Sequence, residues 1–146
     1  MATVAELMQR SHAACDEWVA RVKAAAGDWP RAAREQASLR RALERHIALE
    51  EDVLFPAFEK HSGMYHAGPT RVMRIEHGQL RSLLDVLASA TRDRDVRRYL
   101  RIADVLSALD REHSTREDRI VYAMIDAALG ARAVELIACG ALARAV

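Results

Sequence analysis

One spacing, His-x-x-x-Glu, occurs twice in this chain of 146 residues, as His46 with Glu50 and as His113 with Glu117. Residues four apart on a helix share a face, so each pair presents an imidazole and a carboxylate to one point. Two single histidines accompany the pairs, because Met8-x-x-x-His12 is repeated as Met73-x-x-x-His77. The spacing predicts one polar cluster of four imidazoles and two carboxylates.

These six side chains suit a pair of metal ions. If both carboxylates bridge, each metal receives four protein donors, and an oxo or hydroxo bridge raises this to five, with one position open. Imidazole and carboxylate without thiolate suit iron, manganese or zinc. A closed tetrahedral site would satisfy zinc, whereas bridging carboxylates that hold two cations close favour a redox-active pair. We therefore expect two iron ions, for which zinc or manganese could substitute.

The elements that must position these residues are helices. The chain has 28 Ala and 20 Arg but only 6 Gly and 3 Pro, and residues that favour strands are sparse. Clusters of helix-breaking residues at 27–30, 61–69 and 91–94 divide it into four long segments, with a short fifth segment after Gly130. The fold expected is all-α, an antiparallel up-and-down four-helix bundle over about residues 3–128 with a short extra C-terminal helix over about 131–145. Residues 1–146 would form a single domain.

Each long segment carries an apolar stripe with helical period. The stripes contain Val4, Met8, Cys15, Val19, Val22, Leu39, Leu43, Val53, Ala57, Met73, Leu80, Leu84, Leu87, Ile102, Leu106, Leu109, Ile120 and Met124. The four histidines and two glutamates interrupt the stripes in phase, so they point into the core. Buried carboxylates must be neutralised, paired or bound to metal.

The helical segments also repeat. Residues 46–55 align with 113–122 at an offset of 67, and the single histidines align at an offset of 65. A hairpin of two helices therefore recurs, which brings matching residues to one level.

The motifs His12, His46-x-x-x-Glu50, Glu76-His77 and His113-x-x-x-Glu117 resemble the hemerythrin-like (HHE cation-binding) domain family over residues 3–127. This resemblance implies a non-heme diiron centre. Its terminal ligands would be His12, His46, His77 and His113, and its bridges would be Glu50 and Glu117.

The resemblance has one departure. Oxygen-carrying hemerythrins have a fifth histidine where this chain has Met73, so reversible oxygen carriage is not expected. The leading hypothesis is a diiron protein that binds or reacts with O2, NO or peroxide in an oxygen, redox or NO response. Two alternatives stay open, an iron- or redox-sensing regulatory module and a structural zinc bundle. The sequence assigns no catalytic residue and no redox partner.

Several acidic residues lie beside the expected ligands. Glu76 is read as an outer partner of a ligand or a surface acid, and Asp16 as solvent-facing or an outer partner. Glu51 and Asp118 either orient ligand imidazoles or lie on a solvated face. Among the other candidates, Cys15, Trp18, Trp29, Phe55 and Tyr122 are expected in the core or at its ends, and His61 and His66 in solvent. Position 122 is not in phase with Glu117, so Tyr122 is not expected beside that carboxylate.

Charge and composition exclude several partners. The net charge is +1, and no charge block suggests a nucleic-acid or membrane partner. No export signal is evident, and the two cysteines are too few for a disulfide framework, so a cytoplasmic location is expected. The C-terminal segment, with Val134, Ile137 and Leu142, either caps the bundle or forms a homodimer surface.

Overall fold

The computed structural model describes the backbone of residues 2–145 and the side chains of residues 2–141. This part of the chain is helical and has no strands. The predicted all-α class is confirmed, while the side chain of Leu142 lies outside the described residues. The helices are α1 (Val4–Ala24), α2 (Trp29–Leu49), α3 (Phe55–Ser62), α4 (Pro69–Arg92), α5 (Val96–Arg116), α6 (Tyr122–Leu129) and α7 (Ala131–Ala145). Two short π-helical segments, π1 (Glu50–Leu54) and π2 (Glu117–Val121), complete the element order.

Local sequence signals explain where the helices begin. Thr3 and Glu6 form a capping box at the start of α1, in which each side chain accepts a hydrogen bond from the other residue's backbone N–H. Asp28 and Asp95 cap α2 and α5 with one bond each, in which the aspartate side chain accepts from the third helical N–H. Gly63 ends α3 in the left-handed conformation, with φ of 76°.

The π segments join flanking helices into two continuous rods. The Phe55 N–H donates to the Glu50 carbonyl, and the Tyr122 N–H donates to the Glu117 carbonyl, so each bond spans five residues instead of four. Pro56 follows π1, but Ala123 stands at the matching position after π2. Proline is therefore not the common cause of the two wide turns.

The π segments also explain the one error in the predicted apolar stripes. Ile120 was expected to face the core, yet its side chain is 52% exposed, while Val121 and Tyr122 are buried. The extra residue in π2 rotates the helix beyond Glu117, so the inward face moves on by one position. Most other stripe residues are buried as predicted.

Two apolar clusters fill the interior. One contains Cys15, Leu43 and Leu80, and the other contains Met8, Leu54 and Met73. Along the chain, each of the four histidines lies between a residue of one cluster and a residue of the other. His12, for example, lies between Met8 and Cys15. The polar cluster thus separates two apolar layers.

Helix α7 covers one end of this interior. Ala133 and Ile137 are buried in the second apolar cluster. A Cβ on Gly140 would lie only 3.0 Å from Leu49 Cδ1, so α7 packs directly against the rod that carries π1. The capping alternative therefore fits the structure, while a dimer surface remains a prediction. No helix in the described residues combines the length and hydropathy that a membrane crossing requires.

Candidate metal centre

The six residues singled out by spacing meet in one buried cluster. None of these residues is more than 8% exposed, and Glu50, His77 and Glu117 are fully buried. The residues of the cluster are His12 from α1, His46 from α2, Glu50 from π1, His77 from α4, His113 from α5 and Glu117 from π2. Both carboxylates therefore come from the two wide turns.

Glu117 lies at the centre of the cluster. Its Oε2 is 2.9 Å from His12 Nε2 and 3.7 Å from His46 Nε2. Its Oε1 is 2.8 Å from His113 Nε2 and 3.7 Å from His77 Nε2. One carboxylate thus faces a different imidazole pair through each of its two oxygens.

Glu50 completes the cluster from the opposite rod. Its Oε2 is 3.1 Å from His77 Nε2 and 3.5 Å from His46 Nε2. Two groups of donor atoms lie close enough to hold a metal ion, one formed by Glu50, His77, His113 and Glu117 and the other by His12, His46 and Glu117. We call these the His77/His113 half and the His12/His46 half.

The donor atoms fit a cation better than they fit one another. Glu50 Oε2, Glu117 Oε1, His77 Nε2 and His113 Nε2 are buried, yet none makes a hydrogen bond of acceptable geometry despite the short separations. Buried polar atoms are rarely left without a partner. Neutral imidazole nitrogens and carboxylate oxygens turned toward a shared space are ligands for iron, zinc or manganese.

The electrostatics of the metal-free cluster point the same way. Burial alone would lower the pKa of His77, but the nearby carboxylates of Glu117 and Glu50 outweigh it and raise the pKa to about 10. Burial opposes ionisation of Glu117, yet the four imidazoles around its carboxylate hold its pKa well below the usual value. The carboxylate charge is thus retained in the core and needs a positive counterpart, either protons or metal ions.

Each imidazole also has a polar neighbour at its outer nitrogen. His77 Nδ1 is 2.9 Å from Glu51 Oε1, whereas His12 Nδ1 lies 3.3 Å from Asp118 Oδ1 without hydrogen-bond geometry. Glu51 and Asp118 thus lie against two of the clustered imidazoles rather than on a fully solvated face. Such partners fix ring orientation and strengthen the imidazole as a ligand.

The remaining two outer partners differ in charge. His113 Nδ1 is 2.7 Å from Glu76 Oε2, and Glu76 also pairs with Arg116. His46 Nδ1 instead contacts the neutral hydroxyl of Ser11 at 2.9 Å. Sequence reasoning did not single out Ser11, although its alignment with Glu76 at the offset of 65 would have drawn attention to it.

Tyr122 is the residue that the periodicity argument misplaced. Its hydroxyl donates to Glu50 Oε1 at 2.5 Å and lies 3.0 Å from Glu117 Oε2. The interpretation that Tyr122 is out of phase with Glu117 is wrong, because the π2 turn places residues five apart on one face. The aligned residue, Phe55, stacks on His77 with ring centroids 6.0 Å apart and has no hydroxyl.

The other candidates lie in solvent or in the apolar core, as expected from the sequence. His61, His66 and Asp16 are exposed. Cys15 is buried in the first apolar cluster, and burial raises the pKa of its thiol to about 12. Met73, at the position of the missing fifth histidine, is 2% exposed beside the cluster.

Two curated relatives are similar in sequence to part of this chain. An iron-sulfur cluster repair protein YtfE from Edwardsiella ictaluri (strain 93-146) is 41% identical over 59 residues, which is 40% of this chain and 27% of that protein. The protein of the same name from Salmonella schwarzengrund (strain CVM19633) is 36% identical over 56 residues, or 38% of this chain and 26% of that protein. The chain thus aligns with about a quarter of the length of each relative.

The comparison with solved structures gave no significant match. The family model described as the hemerythrin HHE cation binding domain matches residues 3–125, which include all six clustered residues and both π segments. This chain therefore belongs to the hemerythrin HHE cation-binding domain family.

Proposed function

We propose that this chain is a single-domain, up-and-down helical bundle holding two iron ions that bind or react with a small ligand, O2, NO or peroxide. His12 and His46 would bind one metal, His77 and His113 the other, and Glu50 and Glu117 would bridge them. The observation that carries this proposal is the position of Glu117, whose two oxygens face two different imidazole pairs at 2.8 to 3.7 Å.

Two bound irons would supply redox chemistry and Lewis acidity at one dry site. The chain's own residues orient the ligands and exclude water. Glu51 and Glu76 hold two imidazoles by their outer nitrogens, and Asp118 lies beside the outer nitrogen of a third. Tyr122 directs its hydroxyl hydrogen at Glu50 Oε1, so this oxygen is partly occupied and Glu50 would bridge less symmetrically than Glu117.

The setting we propose is a redox or NO response. Its support is the family membership together with two partial relatives whose names are those of iron-sulfur cluster repair proteins. The absence of a histidine at Met73 supports reaction or sensing over reversible oxygen carriage.

Metal analysis tests the proposal most directly. The full chain is loaded with Fe2+ without oxygen, desalted, and its iron measured against protein concentration. We expect two irons per chain and, after exposure to air, the near-ultraviolet charge-transfer absorption of ferric iron. One metal per chain, or none, would overturn the dinuclear assignment, and zinc that iron does not replace would favour the structural zinc bundle.

A second candidate function is a sensing module in which iron occupancy controls stability or partner binding. It is favoured by the buried hydrogen-bond acceptors and donors that stay unpaired without metal. A ligand that binds the folded chain alone raises its apparent stability. Thermal unfolding with and without iron tests this candidate, and equal melting temperatures would remove its basis.

A further inference from the structure

A cavity of about 290 Å³ lies between α1, α2 and α7 and adjoins the buried histidine and glutamate cluster at His46. Its walls include the apolar side chains of Trp18, Ala42 and Ala141, and three polar groups also line it, those of Ser11, Arg45 and His46. Apolar walls with a few convergent polar groups are typical of small-molecule sites, and this volume is near the lower end of their range. The cavity therefore has the composition of a site for a small organic molecule.

The cavity reaches the outer edge of one proposed metal ligand. His46 presents Nδ1 to Ser11 in the cavity wall, while its Nε2 lies within the cluster, 3.2 Å from His12 Nε2. His46 is the one histidine of the four whose described outer partner is not a carboxylate. A molecule in this cavity would contact the Ser11 and His46 pair directly.

The repeat shows what occupies the matching place in the other half. Ser11 aligns with Glu76 at the offset of 65, and Leu49 aligns with Arg116 at the offset of 67. In the His77/His113 half, the Glu76 carboxylate lies against His113 Nδ1 and is neutralised by Arg116. The corresponding place beside His46 holds a hydroxyl and an opening instead of a carboxylate and a guanidinium.

Arg45 supplies the missing positive charge from another position. It is exposed and lines the same cavity as Ser11 and His46. A guanidinium binds a carboxylate through two parallel charge-assisted hydrogen bonds. The Ser11 hydroxyl can donate to the same carboxylate while its oxygen accepts from His46 Nδ1.

We propose that this cavity binds a small organic carboxylate with an apolar body, whose carboxylate contacts Arg45 and Ser11 and whose body packs on Trp18 and Ala42. The bound carboxylate takes the part that Glu76 plays in the other half. The cavity site stands on its own geometry, whereas its effect on metal affinity rests on the proposed diiron function.

Coupling to the metal follows from the Ser11 contact. Outer partners of a ligand histidine change metal affinity by about 10- to 100-fold. Because the bound carboxylate acts through a hydroxyl, we expect about a tenfold gain in affinity at the His12/His46 half, the lower end of that range. Because the two binding equilibria are thermodynamically linked, bound metal must raise the affinity of the cavity for the carboxylate by the same factor.

Benzoate is the probe for the cavity itself. Trp18 fluorescence is followed in the full chain carrying Trp29→Phe, with and without zinc, so that one indole reports. We expect saturable quenching by benzoate and none by benzamide, which has the same shape without the charge. Arg45→Ala should weaken benzoate binding at least tenfold, whereas Arg41→Ala, an exposed arginine one turn earlier on α2, should leave it unchanged.

Ala42→Leu provides a second test, because it fills the cavity without removing a charge and should abolish the quenching. Ser11→Glu should abolish it too, and should raise metal affinity without benzoate, since it supplies the carboxylate covalently. No saturable quenching, or equal affinity in Arg45→Ala, would overturn the proposal even if two irons bind. Failure to bind two irons would overturn the diiron function and leave the benzoate titration valid.

Discussion

The two halves of the cluster share their donor types but differ in their surroundings. In the His77/His113 half, both outer nitrogens meet carboxylates, Glu51 and Glu76, that are themselves paired with arginines. In the His12/His46 half, one outer partner is the neutral Ser11, and the Tyr122 hydroxyl lies 3.3 Å from His12 Nε2. The two copies of the hairpin thus have the same imidazole and carboxylate groups, but the residues that contact the outer imidazole nitrogens differ.

This difference has an electrostatic consequence. Anionic outer partners make an imidazole a stronger donor, so the His77/His113 half should hold its metal more tightly and favour the higher charge. The His12/His46 half, next to the cavity, should exchange metal faster. The two metal positions are therefore expected to be unequal.

The largest effect is expected from the shared carboxylates. Glu117→Ala removes a group that contacts all four imidazoles, so both metals should be lost. Glu50→Ala should leave at most one iron, held by the remaining donors. Iron per chain after anaerobic loading measures both.

The exposed His61→Ala should keep two irons and serves as the control for loading. Two irons in Glu117→Ala would mean that the halves do not share this bridge.

The next effect concerns the charged outer partner. Glu76→Ser gives His113 the neutral partner that His46 has, and should lower metal affinity in that half by about 10- to 100-fold. Stepwise calorimetric titration with Zn2+ should show two different dissociation constants in the parent chain. In the variant, the values of these two constants should become more similar. Glu112→Ser, which removes an exposed acid that also lies near Arg116, is the matched control. Unchanged constants in Glu76→Ser would contradict the unequal-halves comparison.

A smaller effect is expected from the aromatic pair. Tyr122→Phe makes the halves alike at this position and removes a buried hydrogen bond to a carboxylate. The free energy of unfolding of the metal-free chain should fall by about 1 to 3 kcal/mol, as measured in urea. The Mössbauer spectra of the two irons should also become more alike.

Tyr99→Phe is the control for this change, since Tyr99 loses a buried bond to the Val22 carbonyl far along the chain from the cluster. It should lower stability without changing the iron spectra. A Tyr122→Phe chain with unaltered spectra would show that the hydroxyl does not distinguish the halves.

The smallest effect is expected from adding a histidine. Met73→His adds a fifth imidazole beside the His77/His113 half and should lengthen the lifetime of an oxygen complex several-fold, measured by stopped-flow absorption. Met8→His makes the same change in the other half and is the matched comparison. Equal lifetimes in the parent and Met73→His chains would place the cause of poor oxygen carriage elsewhere.

The helical class and the clustering of six polar side chains could be predicted because both follow from regular helical spacing. His46 and Glu50, four apart, lie on one face before the helix widens. Tyr122 could not be placed, because the periodicity argument assumes 3.6 residues per turn and the π segment breaks that assumption. The aligned aromatics Phe55 and Tyr122, each five residues after a glutamate, were the available signal.

The cavity was beyond sequence reasoning for a different reason. It depends on how α7 lies against α1 and α2, and Ala141 contributes to its wall. The close approach at Gly140 is a tertiary contact that no local pattern reports.

The wide turns also determine where these rods tolerate a change of length. A π turn is an α turn with one residue inserted, and in π2 the exposed Ile120 is a residue that can be removed without opening the core. Its deletion would restore an ordinary turn and leave α6 in register with its neighbours. Deletion within α5 would instead rotate everything that follows by about 100°. Single-residue length variation is therefore accommodated beside the cluster, and the rest of the fold is spared.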